Sequence, residues 1–288
     1  MDLIVETDLG HDPDDAFALL YLHSAGVNIR AILVAPGDPD QIGMARFLCH
    51  MLDLDIPVGA SKLDQKKNSS GGVHYSLMDH YKFPRTAKHD GLGHVILKET
   101  LAKYPDAELF VIGPCSSTGK FFGENPDAVV KRATMQGGFC PYKLFHPAVE
   151  NPSFVGKDWC PTFNMNGDRP GALNFINAKI GDRAFVGKNV CHTIIYDKWS
   201  LFFQESPKDI ASSLFRQGME MYLERHEQKK FHDPLAAVLH LHPEIGTWIK
   251  GKPTKQEGGW TTTPDLEGDR VLVDVERADF WKCIREYW

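Results

Sequence analysis

Short apolar runs alternate along this chain with segments whose apolar positions recur at helical spacing. Residues 3–5 and 29–35 have the aliphatic, β-branched composition of buried parallel strands, and each run is followed by glycine and proline. Helical periodicity follows at residues 17–22 and 41–54. Further strands are predicted at 56–59, 108–112, 133–135, 184–186, 193–195 and 270–276, and further helices at 94–104, 167–175, 209–225 and 278–288. The alternation predicts an α/β fold with an open, mostly parallel, Rossmann-like central sheet flanked by helices.

A cluster of carboxylates stands where the first strand gives way to a helix. Asp8, Asp12, Asp14 and Asp15 lie within eight residues, at the strand end where open α/β sheets hold their ligands. Like charges so close repel unless a cation lies among them, and oxygen-only ligands favour Ca²⁺ or Mg²⁺. The alternative is an Asp-rich turn in which Asp12 or Asp14 caps the helix and the other carboxylates are solvated.

Three later residues are further candidates for a site, each with a simpler local interpretation. Asp38 follows the second strand, where local sequence favours a surface turn aspartate over a site residue. Asp233 precedes Pro234 and could cap a helix, which would leave His232 as a loop residue. The polar stretch 61–90 is predicted to be a loop or lid, with its histidines at the surface.

Composition narrows the class of protein. The 288 residues are 42% hydrophobic and 24% charged, which suits a single globular domain over residues 1–288. A net charge of -6 gives no electrostatic footprint for nucleic acid, and no apolar stretch is long enough to span a membrane. The chain starts without a signal-peptide pattern and its cysteines are scattered, so we expect a cytoplasmic protein with reduced, buried thiols.

Taken together, the motifs resemble those of the inosine-uridine-preferring nucleoside hydrolase family. The family signature Asp-Thr-Asp-Pro-Gly-x-Asp-Asp-Ala corresponds to residues 6–16, with two additional residues in the turn. Later motifs that resemble those of the family follow in the same order: residues 90–93 (DGLG), 113–114 (GP), 135–138 (MQGG), 163–164 (FN) with Asp168, 232–236 (HDPLA) and 279–281 (DFW). The resemblance covers nearly the whole chain and implies the nucleoside hydrolase fold.

The resemblance also implies roles for individual residues. It makes Asp8 a metal ligand and the catalytic base, with Asp15, Asp233 and the Ile112 carbonyl as the other Ca²⁺ ligands. Asp14 and Asn164 would hold ribose hydroxyls, and Asp38 falls near a ribose-binding Asn of the family. His232 is placed to protonate the departing base.

The chain departs from the family pattern at several positions. Glu6 replaces the first Asp of the signature, and the longer turn carries His11. Thr162 stands where the family has a Glu that contacts the 5′-hydroxyl, and Ala87 stands where it has a His. The resemblance therefore implies a diverged ribosyl hydrolase, altered on the 5′ side of its substrate.

Three functional hypotheses follow. The leading one is a calcium-dependent hydrolase that cleaves the N-glycosidic bond of a ribonucleoside or related ribosyl compound, acting as a homodimer or homotetramer related to salvage enzymes. The second is a non-catalytic ribosyl- or sugar-binding protein on the same fold. A third, a Mg²⁺-dependent phosphoesterase, is disfavoured because no phosphate-handling motif accompanies the Asp cluster.

Overall fold

A computed structural model describes residues 1–10, 12–66, 70–145, 150–202 and 206–287. Within them, ten strands form one sheet in the order β11-β10-β12-β7-β6-β5-β1-β2-β3-β4, and β8 pairs antiparallel with β9 in a small second sheet. The strands are β1 (Asp2–Thr7), β2 (Asn28–Val34), β3 (Val58–Ala60), β4 (Gly91–Leu92), β5 (Glu108–Val111), β6 (Val129–Gln136), β7 (Lys179–Val186), β8 (Ile195–Asp197), β9 (Gln228–Lys230), β10 (Gly246–Lys255), β11 (Trp260–Pro264) and β12 (Asp269–Val275). The prediction of an open, mostly parallel sheet is confirmed.

Strand β1 lies in the middle of the sheet, and this position fixes where a ligand can bind. It pairs in parallel with β2 on one side and with β5 on the other. The chain builds outward from β1 through β2, β3 and β4, then returns to place β5 on the opposite flank. The direction of winding therefore reverses at β1, and such reversals open a crevice at the carboxyl ends of the strands.

Helices cover both faces of the sheet. They are α1 (Asp14–Ser24), α2 (Pro39–Met51), α3 (Val73–His80), α4 (Gly93–Lys103), α5 (Ser116–Glu124), α6 (Phe163–Gly167), α7 (Arg169–Asn177), α8 (Lys188–Cys191), α9 (Lys198–Phe202), α10 (Ile210–Leu223), α11 (Asp233–Leu241) and α12 (Arg277–Tyr287), with a 3-10 turn at Pro243–Ile245. On one face α1 packs against α10 and α11; on the other, α5 packs against α4 and α7. Two separate apolar cores result, one on each face.

Some local predictions were wrong. The stretch 61–90 contains helix α3, and His74 on it is buried, with its Nδ1 2.5 Å from the carbonyl oxygen of Gly10. Strands β10 and β11 were not predicted. His11 of the lengthened turn and residues 67–69 of the predicted loop lie outside the described residues.

The six cysteines are buried and free, as expected. Within the described ranges, every helix is too short or too polar to cross a membrane.

Glu6 has a structural role that explains its presence at the end of β1. Its buried carboxylate accepts hydrogen bonds from the backbone N–H groups of Ser117 and Thr118, at 2.5 and 2.9 Å, and from Thr118 Oγ1 at 2.6 Å. Burial raises the pKa of Glu6 to about 7, although these hydrogen bonds oppose the rise. The N-cap of α5 is Cys115, without a side-chain capping bond. Glu6 therefore satisfies two of the amides at the start of this helix.

Replacing Glu6 by Met should destabilise the fold. Met fills similar space but leaves the amides of Ser117 and Thr118 buried without an acceptor, so we expect a loss of at least about 2 kcal/mol in the free energy of unfolding. The matched control is Glu124→Met, at an exposed position of the same helix, which should change stability by less than about 0.5 kcal/mol. Urea titration of both variants is the measurement, and equal stabilities would contradict this role for Glu6.

Candidate active site

Four carboxylates converge at the carboxyl end of β1. Asp8 follows the strand directly, Asp14 and Asp15 form the first turn of α1, and Asp233 is the first residue of α11. One oxygen each from Asp14, Asp15 and Asp233 lie within 4.8 Å of one another, and all three residues are buried. Residues far apart in sequence thus meet at the crevice beside the central strand.

Local contacts hold this cluster in place. Thr7 Oγ1 donates to Asp15 Oδ1 at 2.5 Å and accepts from the backbone N–H of Leu9 at 3.0 Å. Gly113 lets the neighbouring loop approach, because a Cβ there would lie 2.6 Å from the backbone nitrogen of Asp8. Neither Asp14 nor Asp233 is a helix cap: the N-cap positions are Pro13 and His232, without side-chain capping bonds. The capping interpretation of these aspartates was therefore wrong.

Burial and mutual repulsion make the cluster electrostatically costly. Burial, followed by the charges of neighbouring carboxylates, raises the pKa values of Asp15 and Asp233 well above the usual range. The same causes raise the pKa of Asp8 to about 8. A buried group of like charges requires a compensating cation.

Lys229, on β9, supplies part of that compensation, and sequence reasoning missed it. Its buried Nζ lies 2.7 Å from Asp12 Oδ1 and 3.0 Å from Asp14 Oδ1. Burial alone would raise the pKa of Asp14, but Lys229 and His232 outweigh burial and hold it well below its usual range. The charges of Asp14 and Asp12 likewise outweigh burial and raise the pKa of Lys229, which keeps its proton. Lys229 reaches two of the carboxylates, which leaves Asp8, Asp15 and Asp233 without a basic ion-pair partner among the described residues.

These three carboxylates fit a hard divalent cation. Asp8, Asp15 and Asp233 offer oxygen atoms only and line one cavity. One oxygen each of Asp15 and Asp233 lies, together with one of Asp14, within a group whose members are within 4.8 Å of one another, and a dication offsets the negative charge of such a group. Ile112 lines the same cavity, and its carbonyl accepts a hydrogen bond from Asn164 Nδ2 at 2.8 Å. A carbonyl oxygen has two lone pairs, so Ile112 retains one for a further partner.

A cavity of about 870 Å³ rises above the cluster, which is within the size range of small-molecule sites. It is lined by Asp8, Asp12, Asp14, Asp15, Ala35, Pro36, Gln41, Ile112, Pro114, Gln136, Thr162, Phe163, Asn164, Lys188, His192, His232 and Asp233. All the residues singled out from the sequence as ligands, base, proton donor and ribose contacts are among them, with one exception.

The exception is Asp38. It is buried rather than in a surface turn, and its Oδ1 accepts from the backbone N–H groups of Asp40 and Gln41, at 3.0 Å each, in a capping box at the start of α2. Gln41 lines the cavity in its place, with its Nε2 donating to the carbonyl of Asp8 at 3.2 Å. Asp38 therefore positions the residue that faces the cavity, which corrects its assignment as a substrate contact.

His232 is tied to the acidic cluster. Its backbone N–H donates to Asp14 Oδ2 at 3.2 Å, and its ring Nδ1 lies 3.3 Å from the same oxygen. His192 packs edge-on against it with ring centroids 5.1 Å apart, and Phe154 packs 4.9 Å from His192. Burial, followed by the charge of His232, lowers the pKa of His192 to about 3. His192 was not found from the sequence; it is a neutral aromatic wall beside His232.

Comparison with known proteins agrees with this geometry. The sequence model of the inosine-uridine preferring nucleoside hydrolases matches residues 3–282. The chain belongs to this family. The family is metal-dependent and its members are glycosidases, so the protein is a nucleoside hydrolase by family and fold.

Solved nucleoside hydrolases share the fold at low sequence identity. A plant nucleoside hydrolase superposes with a TM-score of 0.77 at 19% identity, covering 99% of this chain and 98% of that one. The inosine-uridine preferring enzyme of Bacillus anthracis gives 0.72 at 17% identity, with the same coverage. An uncharacterised protein of Aquifex aeolicus is 24% identical over 93% of both chains.

The departures of this hydrolase from the family pattern have different structural meanings. Glu6 does not line the cavity and instead holds α5. Asp12 belongs to the lengthened turn and pairs with Lys229 at the cavity wall. Thr162 lines the cavity directly. Of these three residues, Asp12 and Thr162 lie on the surface that a substrate meets.

Proposed function

We propose that the protein is a calcium-dependent hydrolase that cleaves the N-glycosidic bond of a ribonucleoside, giving ribose and the free base. The observation that carries this proposal is the buried carboxylate cluster, only part of which Lys229 compensates, at the floor of a nucleoside-sized cavity. A family assignment that covers residues 3–282 supports it.

Asp8, Asp15, Asp233 and the Ile112 carbonyl would hold the ion. Carboxylates and carbonyls are calcium ligands, and Ca²⁺ accepts the irregular geometry that residues from separate elements offer. Both oxygens of Asp14 already have partners, Lys229 and His232, so we assign Asp14 to a ribose hydroxyl instead. Bound there, calcium would supply acidification of a water molecule and an anchor for the ribose diol.

The chain's own residues then carry the proton transfers. Asp8 accepts a proton from the water while the water oxygen forms a bond to the anomeric carbon. The bond from that carbon to the base nitrogen breaks, its electron pair goes to the base, and His232 returns a proton to that base. Asn164, held by Gln136 at 2.8 Å, and Asp14 fix the sugar hydroxyls during this step. The transition state has the character of an oxocarbenium ion, which the surrounding carboxylates stabilise.

The direct test is release of reducing sugar from a panel of purine and pyrimidine ribonucleosides. We expect turnover with calcium, loss of turnover after chelation and recovery on calcium addition. A calcium-loaded protein that cleaves no nucleoside in the panel would overturn the proposal. Binding of such a ligand by calorimetry without turnover would favour the alternative, a non-catalytic ribosyl- or sugar-binding protein on the same fold.

Replacing His232 by Asn should separate proton donation from the other steps. Loss of a general acid lowers kcat by about 10²–10³-fold for a base that must be protonated. A p-nitrophenyl riboside, whose leaving group departs without a proton, should be hydrolysed nearly as fast as by the unaltered enzyme. The control is His80→Asn, at an exposed position of α3. Equal losses on both substrates in the His232 variant would assign this residue to another role.

We also expect a homodimer or homotetramer in solution. The expectation rests on family resemblance, and size-exclusion chromatography with light scattering checks it. A monomer at micromolar concentration would contradict it.

A further inference from the structure

Thr162 has an unusual environment for a residue at the start of a helix. It occupies the N-cap of α6, where a threonine hydroxyl ordinarily accepts a hydrogen bond from the first turn. Here the side chain makes no capping bond, and Thr162 is only 3% exposed. Its Oγ1 has no hydrogen-bond partner within the described part of the chain, yet the residue lines the cavity. A buried hydroxyl without a partner is costly, so this atom is poised for a ligand.

Lys188 places a positive charge beside the backbone that leads into Thr162. Its Nζ donates to the carbonyl of Pro161 at 3.1 Å, and Pro161 directly precedes Thr162. Lys188 also lines the cavity. No carboxylate pairs with it among the described residues, and an ammonium has three N–H donors, of which the carbonyl takes one.

The wall that carries these groups differs in charge from the floor. The floor has the carboxylates of Asp8, Asp14, Asp15 and Asp233. The wall formed by Thr162, Phe163 and Lys188 contributes a hydroxyl, an aromatic ring and an ammonium. A cation is therefore complementary in charge to the floor, and an anion is complementary in charge to this wall.

Building on the proposed function, we propose that Thr162 and Lys188 form a subsite for a phosphoryl group, and that the preferred substrate is a ribonucleoside 5′-monophosphate. Two ribose hydroxyls occupy the floor and the anomeric carbon faces His232, so C5′ is the remaining position that can carry a substituent to another wall. A neutral hydroxymethyl group could bond the Thr162 hydroxyl, but it would leave the ammonium of Lys188 without its counter-charge. A phosphoryl group uses both, through charge-assisted hydrogen bonds.

The test compares kcat/KM for inosine and inosine 5′-monophosphate, and for uridine and its monophosphate, with the calcium-loaded full chain. We expect the monophosphate to be favoured by about tenfold or more, since a hydrogen bond to a charged group contributes on that order. Lys188→Gln and Thr162→Val should each lower the ratio of monophosphate to nucleoside by about tenfold. Lys179→Gln removes the same charge at the start of β7, outside the cavity, and should leave the ratio unchanged.

The outcomes separate this inference from the proposed function. Efficient cleavage of nucleosides with the monophosphates disfavoured would overturn the phosphoryl subsite and leave the hydrolase intact. If neither class is cleaved, the proposed function fails, and calorimetry with ribose 5-phosphate and ribose decides the subsite. Tighter binding of ribose 5-phosphate than of ribose, with the difference lost in Lys188→Gln, supports the subsite. Equal binding of the two compounds overturns it. If a variant does not fold, the ratio for the unaltered protein decides, with a value below one counting against the subsite.

Discussion

Asp233→Asn is expected to abolish calcium-dependent turnover while the fold persists. The substitution keeps size and shape but replaces a charged oxygen donor by a weaker neutral one, and calcium affinity depends on the number of charged ligands. If the ion contributes several kcal/mol to stabilisation of the transition state, kcat/KM should fall by ~10³-fold. The measurements are calcium titration by calorimetry and ribose release at saturating calcium.

Thermal unfolding gives an independent readout of the same change. Calcium at 100 times its dissociation constant should stabilise the unaltered protein by about 2.7 kcal/mol through mass action, and the variant should lose most of this gain. Without calcium the variant should be at least as stable as the unaltered protein, because the substitution removes a charge that Asp14, Asp15 and Asp8 repel. If Asp233 is a calcium ligand, the variant should therefore be at least as stable as the unaltered protein without calcium and less stable with calcium.

The matched control is Asp209→Asn, since Asp209 does cap a helix, with its Oδ1 accepting from the backbone N–H of Ser212 at 2.7 Å. Asn caps about as well as Asp, so this variant should keep calcium affinity, activity and most of its stability. Equal calcium affinity for Asp233→Asn and the unaltered protein would remove Asp233 from the ion site.

Much of the architecture was predictable because it is encoded locally. The apolar runs that became β1, β2 and β5 are buried on both faces, as central parallel strands must be, and so read as continuous hydrophobic segments. The position of the acidic cluster followed from the rule that strand ends hold ligands. Strands β10 and β11 were missed because polar and apolar residues mix along them, without the continuous apolar run of a central strand.

Asp38 shows a local signal that was present but not used. Residues 38–41 read Asp-Pro-Asp-Gln, which places a capping residue three positions before a glutamine with proline at the first helical position. That spacing is typical of a capping box. It predicts a structural Asp38 without any knowledge of the tertiary fold.

Lys229 and His192 could not be found in this way, because their roles arise from contacts across the fold. The pair Lys229-Lys230 reads as a solvated basic turn, and only its pairing with β8 turns Lys229 inward. Lys229 and Phe231, two residues apart, are both buried, which is the alternation of a strand. The aspartates that meet Lys229 lie more than two hundred residues earlier in the chain.

Lys229→Met is expected to destabilise the protein strongly. Met has a similar length and no charge, so the substitution leaves Asp14 buried without its principal counter-charge. Breaking a buried ion pair on one side costs about 3–5 kcal/mol. Most of that loss should come from Asp14, whose side chain is 3% exposed, because Asp12 at 56% exposure regains water.

The control is the neighbouring Lys230→Met, which removes the same charge from the less buried side of β9 and should change the free energy of unfolding by less than about 1 kcal/mol. A second variant, Lys229→Met with Asp14→Asn, should recover part of the lost stability, since it also removes the unpaired charge of Asp14. It should remain inactive, because Asp14 is the proposed contact of a ribose hydroxyl. Urea titration at fixed calcium measures all three. If Lys229→Met and Lys230→Met are equally stable, the ammonium of Lys229 does not compensate Asp14, and the ion alone must balance all the carboxylates beside β1.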